Sequence, residues 1–141
     1  MFFLRTQSLQ FGPLKNLAPT AAEIAILRVL WRSGPASVRD VHAAIYGSEG
    51  PGYTTALKLL QNMLAKGLVT RTEEVRHHVY AAAVAERPTL NQLVRGWIDF
   101  AFAGSSLALA MQALDARPID PDELARLKEE IARLEKDGSH P

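Results

Sequence analysis

The sequence predicts a mainly α chain that carries one small β-hairpin. Three observations predict it. Apolar residues recur at helical spacing in successive segments from Thr20 to Leu134. Residues that start and stop helices bracket those segments. A single stretch, Leu68 to Ala82, has strand composition on either side of a short charged link.

The first helix starts at Thr20, which stands three residues before Glu23 in capping-box spacing. Ile24, Leu27 and Trp31 form its apolar stripe, joined by Ile26 and Leu30, and Ser33-Gly34-Pro35 ends it. Ser37 opens a second helix, with Asp40 three residues on. Val38, Val41, Ala44 and Ile45 are its expected buried face, and it stops near Gly47. Gly47 to Gly52 has turn composition. A third helix runs from about Tyr53 to Lys66. Ala56, Leu59, Leu60, Met63 and Leu64 recur at i, i+3, i+4, i+7 and i+8 and face inward. Gly67 fits a left-handed helix end. Leu68–Thr72 and Val75–Ala82 read as strands, joined through Glu73 to Arg76.

Three helices followed by a hairpin is the order of a winged helix-turn-helix, with the hairpin as wing. In that arrangement the outer face and first turn of helix three enter a DNA major groove. The residues left free there are Tyr53, Thr54, Thr55, Leu57, Lys58, Gln61 and Asn62. Thr hydroxyls bond phosphates or base edges, and Gln and Asn pair with adenine. The competing role for Thr54 or Thr55 is a helix N-cap. Arg76, at the wing tip, either reaches a phosphate or minor groove or is simply solvated.

The remainder is helical. Thr89 is the expected cap of a helix with Leu90, Leu93, Val94, Trp97, Ile98, Ala101 and Phe102 in one stripe, stopped by Gly104. From Ser106 a shorter helix carries Leu107, Ala110, Met111 and Leu114. Asp120-Pro121-Asp122-Glu123 opens the last, with Leu124, Leu127, Ile131 and Leu134. About fifty residues of short helices make too small a core to stand alone. A second copy of the chain is the economical partner. The expected division is a flexible arm over 1–16, a winged helix-turn-helix DNA-binding domain over 17–85 and a helical dimerisation region over 86–141.

Charge follows the same division. Residues 1–85 hold nine Lys and Arg against five Asp and Glu, a net of +4; residues 86–141 hold seven against ten, a net of −3. A basic front half suits a polyanion. With no cysteine, disulfides, thiol catalysis and cysteine metal sites are excluded together, and a reducing, cytoplasmic setting is expected. His77 and His78 are adjacent, so on a strand they point to opposite faces and cannot share an ion. Gly104-Ser105-Ser106 lacks the nucleophile-elbow pattern. Neither an enzyme nor a cofactor is expected. No apolar run approaches the ~20 residues that span a bilayer, so no membrane insertion is expected.

Four ordered pieces carry a resemblance: Glu23-x-x-Ile26-Leu27-x-Val29-Leu30-Trp31, Gly34-Pro35-Ala36-Ser37-Val38-Arg39-Asp40-Val41, Tyr53-Thr54-Thr55, and Leu64-x-Lys66-Gly67-Leu68-Val69. Over residues 17 to 137 the chain resembles the BlaI/MecI/CopY penicillinase-repressor family. The resemblance implies a dimeric winged-helix repressor on inverted-repeat, double-stranded DNA operators. It implies phosphate contacts at Ser37 and Arg39. It also implies a homodimer held by C-terminal helices, here through Leu90, Val94, Trp97, Ile98, Phe102, Leu107, Met111, Leu114, Leu127 and Ile131. The copper-sensing branch of that family has a cysteine-rich C-terminus, which this chain lacks. The β-lactam-sensing branch is released by proteolysis that a membrane sensor protease triggers. The aligned bond is Ala110–Met111, where those repressors have Asn–Phe. A winged helix that docks protein and never touches DNA is the alternative reading.

Overall fold

The computed structural model describes residues 18–47, 52–72 and 78–138. The expected arm over 1–16, the wing-tip Arg76 and His77 lie outside them. Helix α1 (Ala21–Ser33) is capped by Thr20, and the reciprocal capping box with Glu23 is complete. A two-residue strand β1 (Ala36–Ser37) leads into α2 (Val38–Tyr46), which Ser37 caps by accepting from the Asp40 N–H. Next come α3 (Tyr53–Lys66), β2 (Val69–Arg71) and β3 (Val79–Ala82). Helices α4 (Glu86–Ala101), α5 (Ser106–Ala116) and α6 (Pro121–Asp137) complete the chain.

The wing is a three-stranded antiparallel sheet in the order β1-β3-β2. Ala36 faces Tyr80 and Val69 faces Ala82. Within the described residues the hairpin pairs Val69–Arg71 with Val79–Ala82, where Leu68–Thr72 and Val75–Ala82 were expected; the expected link Glu73 to Arg76 and the strand residues Val75 to His77 lie outside the described residues. Strand β1 was not foreseen, because two residues carry no periodicity to read. The core is one cluster in which Ile26, Leu27, Leu30, Val41, Leu60, Met63 and Tyr80 are buried, so α1, α2, α3 and the sheet converge on it. Ala44, expected in the core, is exposed, and Ile45 is only half-buried. Helix α2 has nine residues, and Val38 and Val41 on its first turn bury most.

At the end of α3, Gly67 adopts the left-handed conformation (φ 84°, ψ 14°). Its N–H donates to the Leu64 carbonyl and the Leu68 N–H to the Met63 carbonyl, which together form a Schellman ending. This tight stop drops Leu68 and Val69 straight into the core. Glu23, 2% exposed, accepts from Lys66 Nζ at 2.7 Å and thereby ties the start of α1 to the end of α3.

Thr89 does not cap α4. The helix begins three residues earlier, with Ala85 at the N-cap, and Pro88 sits in the first turn. Proline is tolerated there because first-turn N–H groups lack intrahelical partners. The buried Thr89 hydroxyl instead donates back to the Ala85 carbonyl at 2.6 Å. Helix α4 ends where Ala103 and Gly104 both take positive φ. Ser105 then caps α5, and Asp120 with Glu123 forms a complete capping box on α6.

Candidate nucleic-acid interface

Helix α3 buries Ala56, Leu60 and Met63 on one side. Successive residues on a helix turn by 100°, so the opposite side carries Thr54, Lys58 and Gln61 in one row, flanked by Thr55 and Asn62. All five are exposed, as is Tyr53 on the first turn, at 51%. The cap question is decided: the N-cap is Gly52, with no side-chain cap bond, so neither Thr54 nor Thr55 is spent on capping. Leu57, expected on the free face, is half-buried and packs against the core.

Beside the first turn of α3 lies a cleft of about 440 Å³. Ser37, Val38 and Arg39 from the start of α2, Tyr53 and Leu57 from α3, and His78 and Tyr80 from the wing side line it. Three predicted site residues, Ser37, Arg39 and Tyr53, are therefore neighbours although 14 residues separate the last two. Ser37 is half-buried and Arg39 exposed. At the base of the wing, Val79 N–H donates to Thr72 Oγ1 at 3.2 Å, Thr72 N–H donates to the Val79 carbonyl at 2.9 Å, and His78 Nδ1 lies 3.2 Å from the Thr72 carbonyl. His78 and Tyr80 belong to this site yet carry no local signal. Only the pairing of β1 with β3 brings them to Ser37.

The predicted dimer residues divide. Leu90, Val94, Trp97 (58%), Leu107 (70%), Met111 (60%), Leu114 and Ile131 are exposed large apolar side chains. Ile98, Phe102 and Leu127 are half-buried on their own chain. Helices α5 and α6 bury no residue fully. On α6, Arg133 donates to Glu130 and, at 3.2 Å, to Asp137. The hydrogen bond from Arg133 holds the Glu130 carboxyl below the usual carboxylate range, and the Arg87 charge on α4 adds a smaller pull. The Ala110–Met111 bond lies inside α5, and both residues are exposed. No single helix among the described residues is long and apolar enough to cross a membrane.

Comparison with known proteins places this architecture. Residues 19–133 match the penicillinase repressor family model. The chain belongs to that family. It is 31% identical over 117 residues to the transcriptional regulator BlaI of Mycobacterium tuberculosis, in strains CDC 1551 / Oshkosh and ATCC 25618 / H37Rv, an alignment covering 80% of this chain and 82% of the relative. The solved transcriptional regulator Tm0710 from Thermotoga maritima aligns over 98% of this chain and 88% of its own, at a TM-score of 0.45 and 14% identity, too distant to bear on function. As a member of the penicillinase repressor family the chain is a transcriptional regulator and not an enzyme.

Proposed function

We propose that the chain represses transcription as a cytoplasmic homodimer that binds inverted-repeat operators in double-stranded DNA. One observation carries the reading: α3 sets an exposed row of Thr54, Lys58 and Gln61, none spent on capping, directly opposite its buried side. In a helix-turn-helix such a row lies in the major groove. Thr54, Thr55, Gln61 and Asn62 then read base edges, and Lys58 meets phosphate. Ser37, Arg39 and Tyr53 border the cleft beside the same turn and take neighbouring backbone contacts. Residues 17–85 serve as the DNA-binding head and 86–141 as the dimerisation region.

Release proceeds by proteolysis between Ala110 and Met111, triggered by a membrane sensor protease. A protease needs an extended strand, so α5 must first unwind. Helices below about 12–15 residues are marginal in isolation. Helix α5 has 11 residues and no fully buried side chain, which favours opening. The cut detaches α6 with Leu127 and Ile131.

The test is a fluorescence-anisotropy titration on DNA from the gene's own promoter. If a dimer makes about 6–10 phosphate contacts, affinity falls ~10³–10⁵-fold between roughly 50 and 200 mM salt. A flat salt response, with the protein passing unretained through heparin, returns the alternative of a protein-docking module.

A further inference from the structure

The connection between head and dimerisation region has no slack. Strand β3 ends at Ala82 and α4 begins at Glu86; of the three intervening residues, Ala83 and Val84 are tied to the head and Ala85 to the first turn of α4. Ala83 N–H donates to the Leu68 carbonyl at 2.9 Å. Trp31 Nε1, on the last turns of α1, donates to the Val84 carbonyl at 2.9 Å, across 53 residues of sequence. The Ala85 carbonyl accepts from Thr89 twice, from the hydroxyl at 2.6 Å and from the N–H at 3.2 Å. Val84 and Trp31 both pack against the core of the head. The first turns of α4 lie close to the head as well. Thr89, Gln92 and Leu93 share a small cleft of about 140 Å³ with Lys66, Gly67 and Leu68.

The lever arm makes this tether consequential. A helix of 16 residues is ~24 Å long at 1.5 Å per residue. A swing of about 10° at its start moves its far end by ~4 Å, close to the ~3.4 Å step of one base pair. A linker free to swing that far would let two heads settle on half-sites of several spacings. A linker tied to the head at Ala83 and Val84 and continued directly by the first turn of α4 would not.

We infer that Trp31 is a positioning residue: its bond to Val84 fixes the direction in which α4 leaves the head, and so fixes the half-site spacing that a dimer accepts. The inference rests on the dimeric operator reading and adds the element that sets spacing. Trp31 itself need not touch DNA. Of the two ties to the head it is the one made by a side chain.

The test uses the full-length chain and an operator that the wild-type protein selects from random-sequence DNA. Duplexes are then made with the half-sites moved one or two base pairs closer or further apart, together with a single half-site. Two variants are compared with wild type: Trp31→Phe, which keeps an aromatic ring but removes the Nε1 donor, and an insertion of two glycines between Val84 and Ala85. Wild type is expected to lose about tenfold or more in affinity when the spacing changes by one base pair, because one head is then left unengaged. Both variants are expected to lose less than about threefold, with single-half-site affinity and dimerisation by sedimentation unchanged. If Trp31→Phe fails to fold, the insertion decides alone. Spacing profiles identical to wild type in the folded variants overturn the inference and leave the dimeric reading standing. A wild type that binds without spacing preference overturns both.

Discussion

The head and the C-terminal region both carry apolar helical stripes but bury them to different degrees. All buried hydrophobics among the described residues fall between Ile26 and Tyr80. Among the described residues after Ala85, only Thr89 and Gly96 are buried, while Trp97, Leu107 and Met111 are among the most exposed large apolar side chains. The head satisfies its own stripes: α1, α2 and α3 each turn an apolar face to the same cluster, and the sheet closes it. The stripes of α4, α5 and α6 find too little on their own chain. The exposed large apolar side chains on these helices support the proposed dimerisation role. The contrast teaches that one chain can carry a self-sufficient unit beside an unfinished one.

Truncation of the C-terminal half has the greatest consequence. A chain ending at Ala110 loses α6 and most of α5. It is expected to stay folded in the head, to sediment mainly as monomer, and to lose ~10²–10⁴-fold in operator affinity as paired binding disappears. A dimeric fragment with full-length affinity would falsify the assignment of the C-terminal stripes to dimerisation.

Next in size is a change confined to the head. Lys66→Met leaves the buried Glu23 carboxylate without its cation. Breaking such a pair costs about 3–5 kcal/mol, and the partial exposure of Lys66 places this one near the lower end. Chemical denaturation should show the loss, and adding Glu23→Gln should recover part of it. Equal stability of Lys66→Met and wild type would mean that the pair contributes nothing to the head.

The local features of both halves were legible in the sequence. The capping box at Thr20, the caps at Ser37 and Asp120 and the left-handed Gly67 all depend on residues within four positions of one another, and all are present as read. The failures are non-local or competitive. Strand β1 exists only because β3 pairs with it, so neither it nor the arrival of His78 and Tyr80 beside Ser37 could be read from Ala36-Ser37. Thr89 has the chemistry of a cap, but the helix starts earlier and its hydroxyl turns back to Ala85. Leu57 sits at a polar angle of α3 yet is half-covered, beside the cleft that α2 and the wing complete. The free face of α3 was legible because burial of Ala56, Leu60 and Met63 fixes everything opposite them.

Two smaller effects sharpen the polar face of the head. Thr55→Ala is expected to reduce discrimination at one base position by about 1–3 kcal/mol, the range for a good base contact, with folding intact because Thr55 is exposed and caps nothing. Competition titrations with single-base operator variants measure it. Lys58→Ala should weaken binding to all sequences alike and lower the slope of log K against log salt by roughly one. If both variants bind as wild type does, a different face of the head meets the DNA.

The smallest effect concerns Tyr80, where the head is least complete. Its ring is wholly buried beneath the cleft, while its hydroxyl has no hydrogen-bond partner among the described residues. A buried hydroxyl without a partner carries a desolvation cost of about 1–3 kcal/mol, whereas a paired one adds a net ~0.5–1.5 kcal/mol. Tyr80→Phe keeps the ring against the core and removes only the oxygen. The sign of the stability change therefore reports on the hydroxyl alone. The expected outcome is a Tm equal to or slightly above wild type, with unchanged half-site affinity. A small rise would make Tyr80 a residue that the head keeps at some cost beneath the cleft that Ser37, Arg39 and Tyr53 line. A loss of more than about 1 kcal/mol would instead show that the hydroxyl is paired, and the head would then be as fully satisfied in its polar groups as it is in its apolar ones.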